Sequence, residues 1–158
     1  MKTKIRLPHV FPAGSVPDGG QVINDFLAVI NAIDTSKSRS IVIPSFDSDE
    51  FIYVLDGTIG ILIPSDMDMW KLTTVLSSVV IASSSGTIDI QIRRIREGVE
   101  TDLLTTKVTI SKEEYFAEDG EIDEDENMVR TGDLIFVDCD NAGTGTVGLF
   151  TVLTFEEQ

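Results

Sequence analysis

The sequence predicts an all-β protein, an antiparallel jelly-roll-like β-sandwich preceded by a short N-terminal arm and one helix. In the stretch Gly86-Thr87-Ile88-Asp89-Ile90-Gln91-Ile92-Arg93, isoleucines alternate with polar residues, so that every second side chain faces a dry layer. Similar stretches bounded by turn residues fill the chain beyond residue 41, with no helical pattern between them, which favours a sandwich over an α/β fold. Apolar spacing of the helical kind appears instead near residues 22–33.

A chain of 158 residues suffices for one domain with a core plus a short appendage. Its 42% apolar and 25% charged residues argue for a folded rather than a disordered chain. No apolar run is long enough to span a bilayer, and Pro8, Pro12 and Pro17 interrupt the start where a secretory segment would need an apolar stretch. Cys139 stands alone, which excludes an intrachain disulfide and a structural zinc site; within an alternating strand it reads as a small buried hydrophobe. The formal charge of −15 opposes binding to nucleic acid and to anionic membranes.

Residues 1–17 form the arm, where Lys2, Lys4 and Arg6 lie among prolines and small residues, placed either to dock on a neighbouring subunit or to remain a loose terminus. Residues 18–34 form the helix, with Val22, Ile23, Phe26, Leu27, Ile30 and Ile33 on one face and Asp18 as candidate N-cap. The set Ile23, Phe26, Ile30 and Ile33 steps by three, four and three, like a coiled-coil seam. A helix this short is marginal alone, so its stripe is buried either on its own β domain or against copies of itself. Residues 35–40 read as a linker and 41–158 as the β-sandwich domain.

Within that domain, Ile41-Val42-Ile43 is a short strand ended by Pro44. Residues 51–55 and 59–63 flank Asp56-Gly57 and suggest a hairpin. A long strand covers 70–81, with a bulge expected where Val79-Val80-Ile81 breaks the alternation. After the isoleucine strand and Glu97-Gly98, further strands are expected over about 103–110, 133–139 and 147–155, with a glycine-rich turn at Asn141-Ala142-Gly143-Thr144-Gly145.

Few polar constellations suggest chemistry. The acidic run from Glu118 to Glu126, with Glu113 and Glu114 upstream, reads as a solvated, partly mobile loop; around Gly120 the Asp-x-Asp-x-Asp ladder of a calcium loop is missing. Arg93, Arg94 and Arg96 are expected to meet acidic residues of the same or an adjacent chain. His9, the single histidine, lies in the arm, away from any nucleophile elbow, and cannot supply a cupin-type metal set. A carboxylate-only glycosidase would need two acids brought together by the fold. The expectation is therefore no enzyme, no cofactor and no metal. Trp70 and Tyr53 lie in apolar strand patterns and read as core, whereas Tyr115 beside Phe116 is the candidate exposed platform for a sugar.

Two parts of the chain resemble a known family. The segment from His9 to Ile33, with Phe11, Gly14, Asn24, Phe26, Ile30 and Ile33 at matching places, resembles the N-terminal segment of tailed-bacteriophage fibre and structural proteins, where a short helix bundles around a threefold axis. Trp70-Lys71-Leu72, the stretch from Gly86 to Gly98, that from Asp102 to Ile110, Thr131-Gly132-Asp133-Leu134-Ile135-Phe136-Val137-Asp138 and Gly145-Thr146-Val147-Gly148-Leu149 resemble a β-sandwich domain of phage virion proteins. The acidic loop departs from that family, which has a more neutral segment there. The resemblance implies a homotrimer with Val22, Ile23, Phe26, Ile30 and Ile33 at its interface, attached to other virion proteins through an arm carrying Lys2, Lys4 and Arg6. The implied protein is a head fibre or capsid decoration protein of the virion. The alternative is a tail-fibre module adhering to host-surface carbohydrate.

Overall fold

Strand β1 (Ser38–Phe51) opens the part of the chain that the computed structural model describes, residues 37–158. The expected arm (1–17) and helix (18–34) lie outside the described residues. Then follow β2 (Gly60–Leu62), a 3-10 turn (Ser65–Met67), β3 (Lys71–Ile81), β4 (Ile88–Arg96), β5 (Val99–Asp102) and β6 (Leu104–Thr106). The last five strands are β7 (Val108–Ile110), β8 (Phe116–Ala117), β9 (Glu121–Ile122), β10 (Leu134–Ala142) and β11 (Val147–Glu156). Every strand pair is antiparallel.

One sheet has the order β1-β11-β3-β8 and a second the order β2-β10-β4-β5, with β7 continuing along β4 beyond β5; β6 and β9 form a small ribbon. Four of these pairings are nested: β4 with β5 and β7, β3 with β8, β2 with β10, and β1 with β11. The tip of this nest is Glu97-Gly98, with φ of 52° and 82°, the paired positive values of the two-residue turn whose twist matches that of its strands. Strand β4, the isoleucine strand, sits between β10 and β5/β7, and Ile88, Ile90 and Ile92 are fully buried.

One hydrophobic cluster takes side chains from both sheets, including Val75, Val79, Leu149, Leu153 and Phe155 from the first and Ile88, Ile90, Ile92, Ile135 and Val137 from the second. Among these apolar groups Ser77 and Thr151 are buried on neighbouring strands and satisfy each other through a 2.9 Å hydroxyl–hydroxyl hydrogen bond.

Several local expectations are revised. Strand β1 begins at Ser38, inside the stretch read as a linker, and runs through Pro44 to Phe51. Proline is tolerated because β1 is an edge strand, and the register shifts beside it, between Pro44 and Phe46. Residues 51–55 and 59–63 do not form a hairpin. Leu55 bridges to Cys139 and β2 pairs with β10, so both flanks of Asp56-Gly57 attach to the same distant strand. The bulge in β3 falls near Thr73, where the register against β11 changes, and it explains why the buried positions jump from Leu72 to Val75. The strand expected over 103–110 is broken into β6 and β7.

Candidate functional site

The arginines of β4 were expected to meet acids, and the structure places all three in ion pairs within the described chain. Arg93 lies on the outer face of its sheet. Its Nε donates to Asp138 at 2.7 Å and its Nη2 to the other carboxylate oxygen at 3.1 Å, while Nη1 lies 3.1 Å from Glu100. The guanidinium stands 5.2 Å from the centre of the Phe136 ring. The Asp138 hydrogen bond raises the Arg93 guanidinium above its ordinary value. Asp138 also accepts the Gly57 N–H at 2.6 Å, so one carboxylate clasps the 56–57 turn to β10.

Arg94 points to the buried side. It donates to the carbonyls of Glu126 and Met128 at 2.7 and 3.0 Å and to the Glu126 carboxylate at 2.6 Å. Arg96 donates to both oxygens of Asp133, at 2.9 and 2.7 Å, and to the Met128 carbonyl at 2.9 Å. Burial by itself would raise the Asp133 carboxyl, yet hydrogen bonds from Arg96 and the Arg130 backbone N–H hold it below its ordinary value. These contacts change the reading of the acidic stretch. Its downstream half is pinned by Arg94, by the Asp123 N–H donating to the Leu103 carbonyl, and by an Asp125 N–H to Asp123 turn. Its upstream half is solvent-exposed, as expected of a solvated loop, but is also tied down: Asp119 accepts the Thr109 N–H and Glu121 lies in β9.

A device that alternation alone could not reveal sits at Gln91. Along β4 the partner changes from Leu103 to Val108 across the positions flanking Gln91, leaving residues 104–107 looped away from the ladder. The buried Gln91 amide fills that gap: its oxygen accepts the Ile92 and Leu104 N–H groups at 2.8 and 3.2 Å, and its nitrogen donates to the Leu104 carbonyl at 3.1 Å. The side chain thus supplies the hydrogen bonds of a missing peptide group.

Among the described residues, a surface groove that gathers aromatic and acidic side chains opens between β7 and β8. It encloses about 420 Å³ and is lined by Thr109, Tyr115, Phe116, Glu114, Glu118 and Asp119 among others. Tyr115 and Phe116 are 57% and 65% exposed. Tyr115 thus stands where the sequence placed it, exposed at the edge of the acidic loop. Tyr53 does not: it is half exposed, covering the buried Phe46 edge-on with ring centres 5.0 Å apart, and residues 52–54 lie outside any strand. Trp70 is buried, under Arg39 at 5.8 Å.

No protein-family model matches this chain, and no curated protein matches it either. The remaining chemistry is modest. Cys139 is buried, its thiol pushed up to about 11 by desolvation with Asp140 and Asp89 nearby, so it is a poor nucleophile. Among the described residues no group of three or more histidine, cysteine, aspartate or glutamate side chains is arranged to hold a metal ion. No helix among them is long and apolar enough to cross a membrane. The residues expected at a trimer seam, Val22, Ile23, Phe26, Ile30 and Ile33, and in the anchoring arm, Lys2, Lys4 and Arg6, lie outside the described residues.

Proposed function

We propose that this chain is a structural protein of a tailed-bacteriophage virion, a homotrimeric head fibre or capsid decoration protein whose β domain is a jelly roll. The observation that supports the jelly-roll part of this reading is the strand order. With β5 and β7 counted as one interrupted strand, the nested pairs are first with eighth, second with seventh, third with sixth and fourth with fifth. Rolling such a folded-over hairpin on itself gives two four-stranded layers, the jelly-roll arrangement found in capsid domains. The sequence resemblance of residues 9–33 and of the β strands to phage virion proteins supplies the biological setting. In this reading the work of the protein is binding and assembly. Ile23, Phe26, Ile30 and Ile33 bury their stripe against two sister chains, and the arm with Lys2, Lys4 and Arg6 attaches to the virion.

Phe26→Asp places a charge in that seam and is expected to convert a trimer to a monomer in light scattering after size exclusion, with the far-UV spectrum of the β domain retained. A wild-type monomer at micromolar concentration would overturn the threefold reading. Deletion of residues 1–8 should spare folding and abolish co-sedimentation with undecorated capsids; full attachment by the truncated protein would refute the arm's role. The second reading, a tail-fibre module that adheres to host-surface carbohydrate, draws on the exposed Tyr115 and predicts a saturable signal on a glycan array.

A further inference from the structure

We infer that the groove between β7 and β8 binds an arginine-bearing segment of a partner protein. Two adjacent aromatic side chains, Tyr115 and Phe116, remain more than half exposed at its wall. Exposed ring faces favour either the apolar face of a sugar or a flat cation. The charge of the lining decides between them. Glu114, Glu118 and Asp119 contribute three carboxylates, and no lysine or arginine is among the lining residues.

Two of these carboxylates are fixed in place. Asp119 accepts the Thr109 N–H through Oδ1 at 2.9 Å, and Glu114 accepts the Ser111 N–H through Oε2 at 3.3 Å. Each keeps its second oxygen for a ligand. A neutral sugar seated here could donate hydroxyl hydrogen bonds to these carboxylates but would leave their negative charge unneutralised. An anionic ligand would be repelled. A guanidinium answers both features, because its plane stacks on an aromatic ring while its N–H fork reaches a carboxylate in two places. The net charge of −15 also concentrates cations around the surface.

This inference deepens the assembly reading by giving the chemistry of a protein partner, and rests on it only for the partner's being a protein. Its test uses no capsids, so its failure leaves the capsid co-sedimentation experiment standing. The full-length protein is titrated, by NMR or calorimetry at low salt, with the capped pentapeptide Gly-Arg-Gly-Arg-Gly, its lysine and glutamate counterparts, and a neutral maltooligosaccharide. Saturable binding of the arginine peptide, tighter than that of the lysine peptide, is expected. Tyr115→Ala should weaken it by about tenfold and Glu118→Gln by about fivefold. Asp49→Asn removes the same charge from β1, at the opposite edge of that sheet, and should change affinity less than about twofold. All three positions are exposed, and matching thermal melts establish that each variant folds. Equal losses from Asp49→Asn and Glu118→Gln would mean diffuse attraction and overturn the proposal. So would no saturation at millimolar peptide, or saturable binding of the sugar with none of the arginine peptide, the latter favouring the glycan reading.

Discussion

At the scale of single residues, a few polar side chains replace or secure backbone around the apolar core. Gln91→Met keeps the volume but strands the Leu104 N–H and carbonyl and the Ile92 N–H in a buried site. A loss of about 3 kcal/mol is expected, read as a lowered midpoint in urea with an unchanged slope. Asp133 gives a pH signature. Its folded-state value is depressed, so its contribution is present above the unfolded value of about 4 and is lost as pH falls through the lower folded value. Asp133→Asn should lower stability at pH 7 by about 2 kcal/mol and flatten the acid side of the stability curve below about pH 4. An unchanged slope there would show that other carboxylates govern acid unfolding. The sequence displayed the opposite charges of both partners, but nothing in it joined Arg96 to Asp133 rather than to the nearer acids Glu97 and Glu100. That pairing depends on β10 lying against β4.

At the scale of elements, alternation made β4, β10 and β11 legible, because alternate residues are buried along most of each, even though Gln91 and Asp138 are buried on the opposite face and β10 shifts register between Cys139 and Asn141. Strands β1 and β2 were misread for a shared reason: local turn signals, Pro44 and Asp56-Gly57, were given more weight than edge position and distant pairing. Gly57 is there for a close approach. A Cβ at that position would run into the Val137 carbonyl oxygen, and its N–H is committed to Asp138. Gly60 serves a neighbouring purpose. A Cβ there would lie 2.6 Å from the Phe136 ring, which covers the glycine and in turn carries Arg93. Gly60→Val should tilt that ring, loosen the Arg93–Asp138 clasp and lower the melting midpoint, with a cost of about 2 kcal/mol. An equally stable variant would show that Phe136 can move freely. The groove was half legible: Tyr115 stood out as an exposed aromatic, while its meeting with Thr109 and Ser111 required β7 and β8 to become adjacent edges.

At the scale of the whole molecule, sequence-distant segments hold each sheet together. Strand β11 lies between β1 and β3, so the strand formed latest in the described chain is interior to its sheet. Removing residues 147–158 should therefore abolish cooperative thermal unfolding, not merely fray one edge. A sharp melt in the truncated protein would show that β1 and β3 close on each other without it. The all-β, antiparallel character could be read from patterning, but the nesting could not, because alternation says which face is dry and not which strands are neighbours. The interior placement of β11 bears on biosynthesis. While a ribosome is still translating the segments before it, β1 and β3 have emerged without the strand that joins them, and their sheet closes only when residues 147–156 clear the exit tunnel.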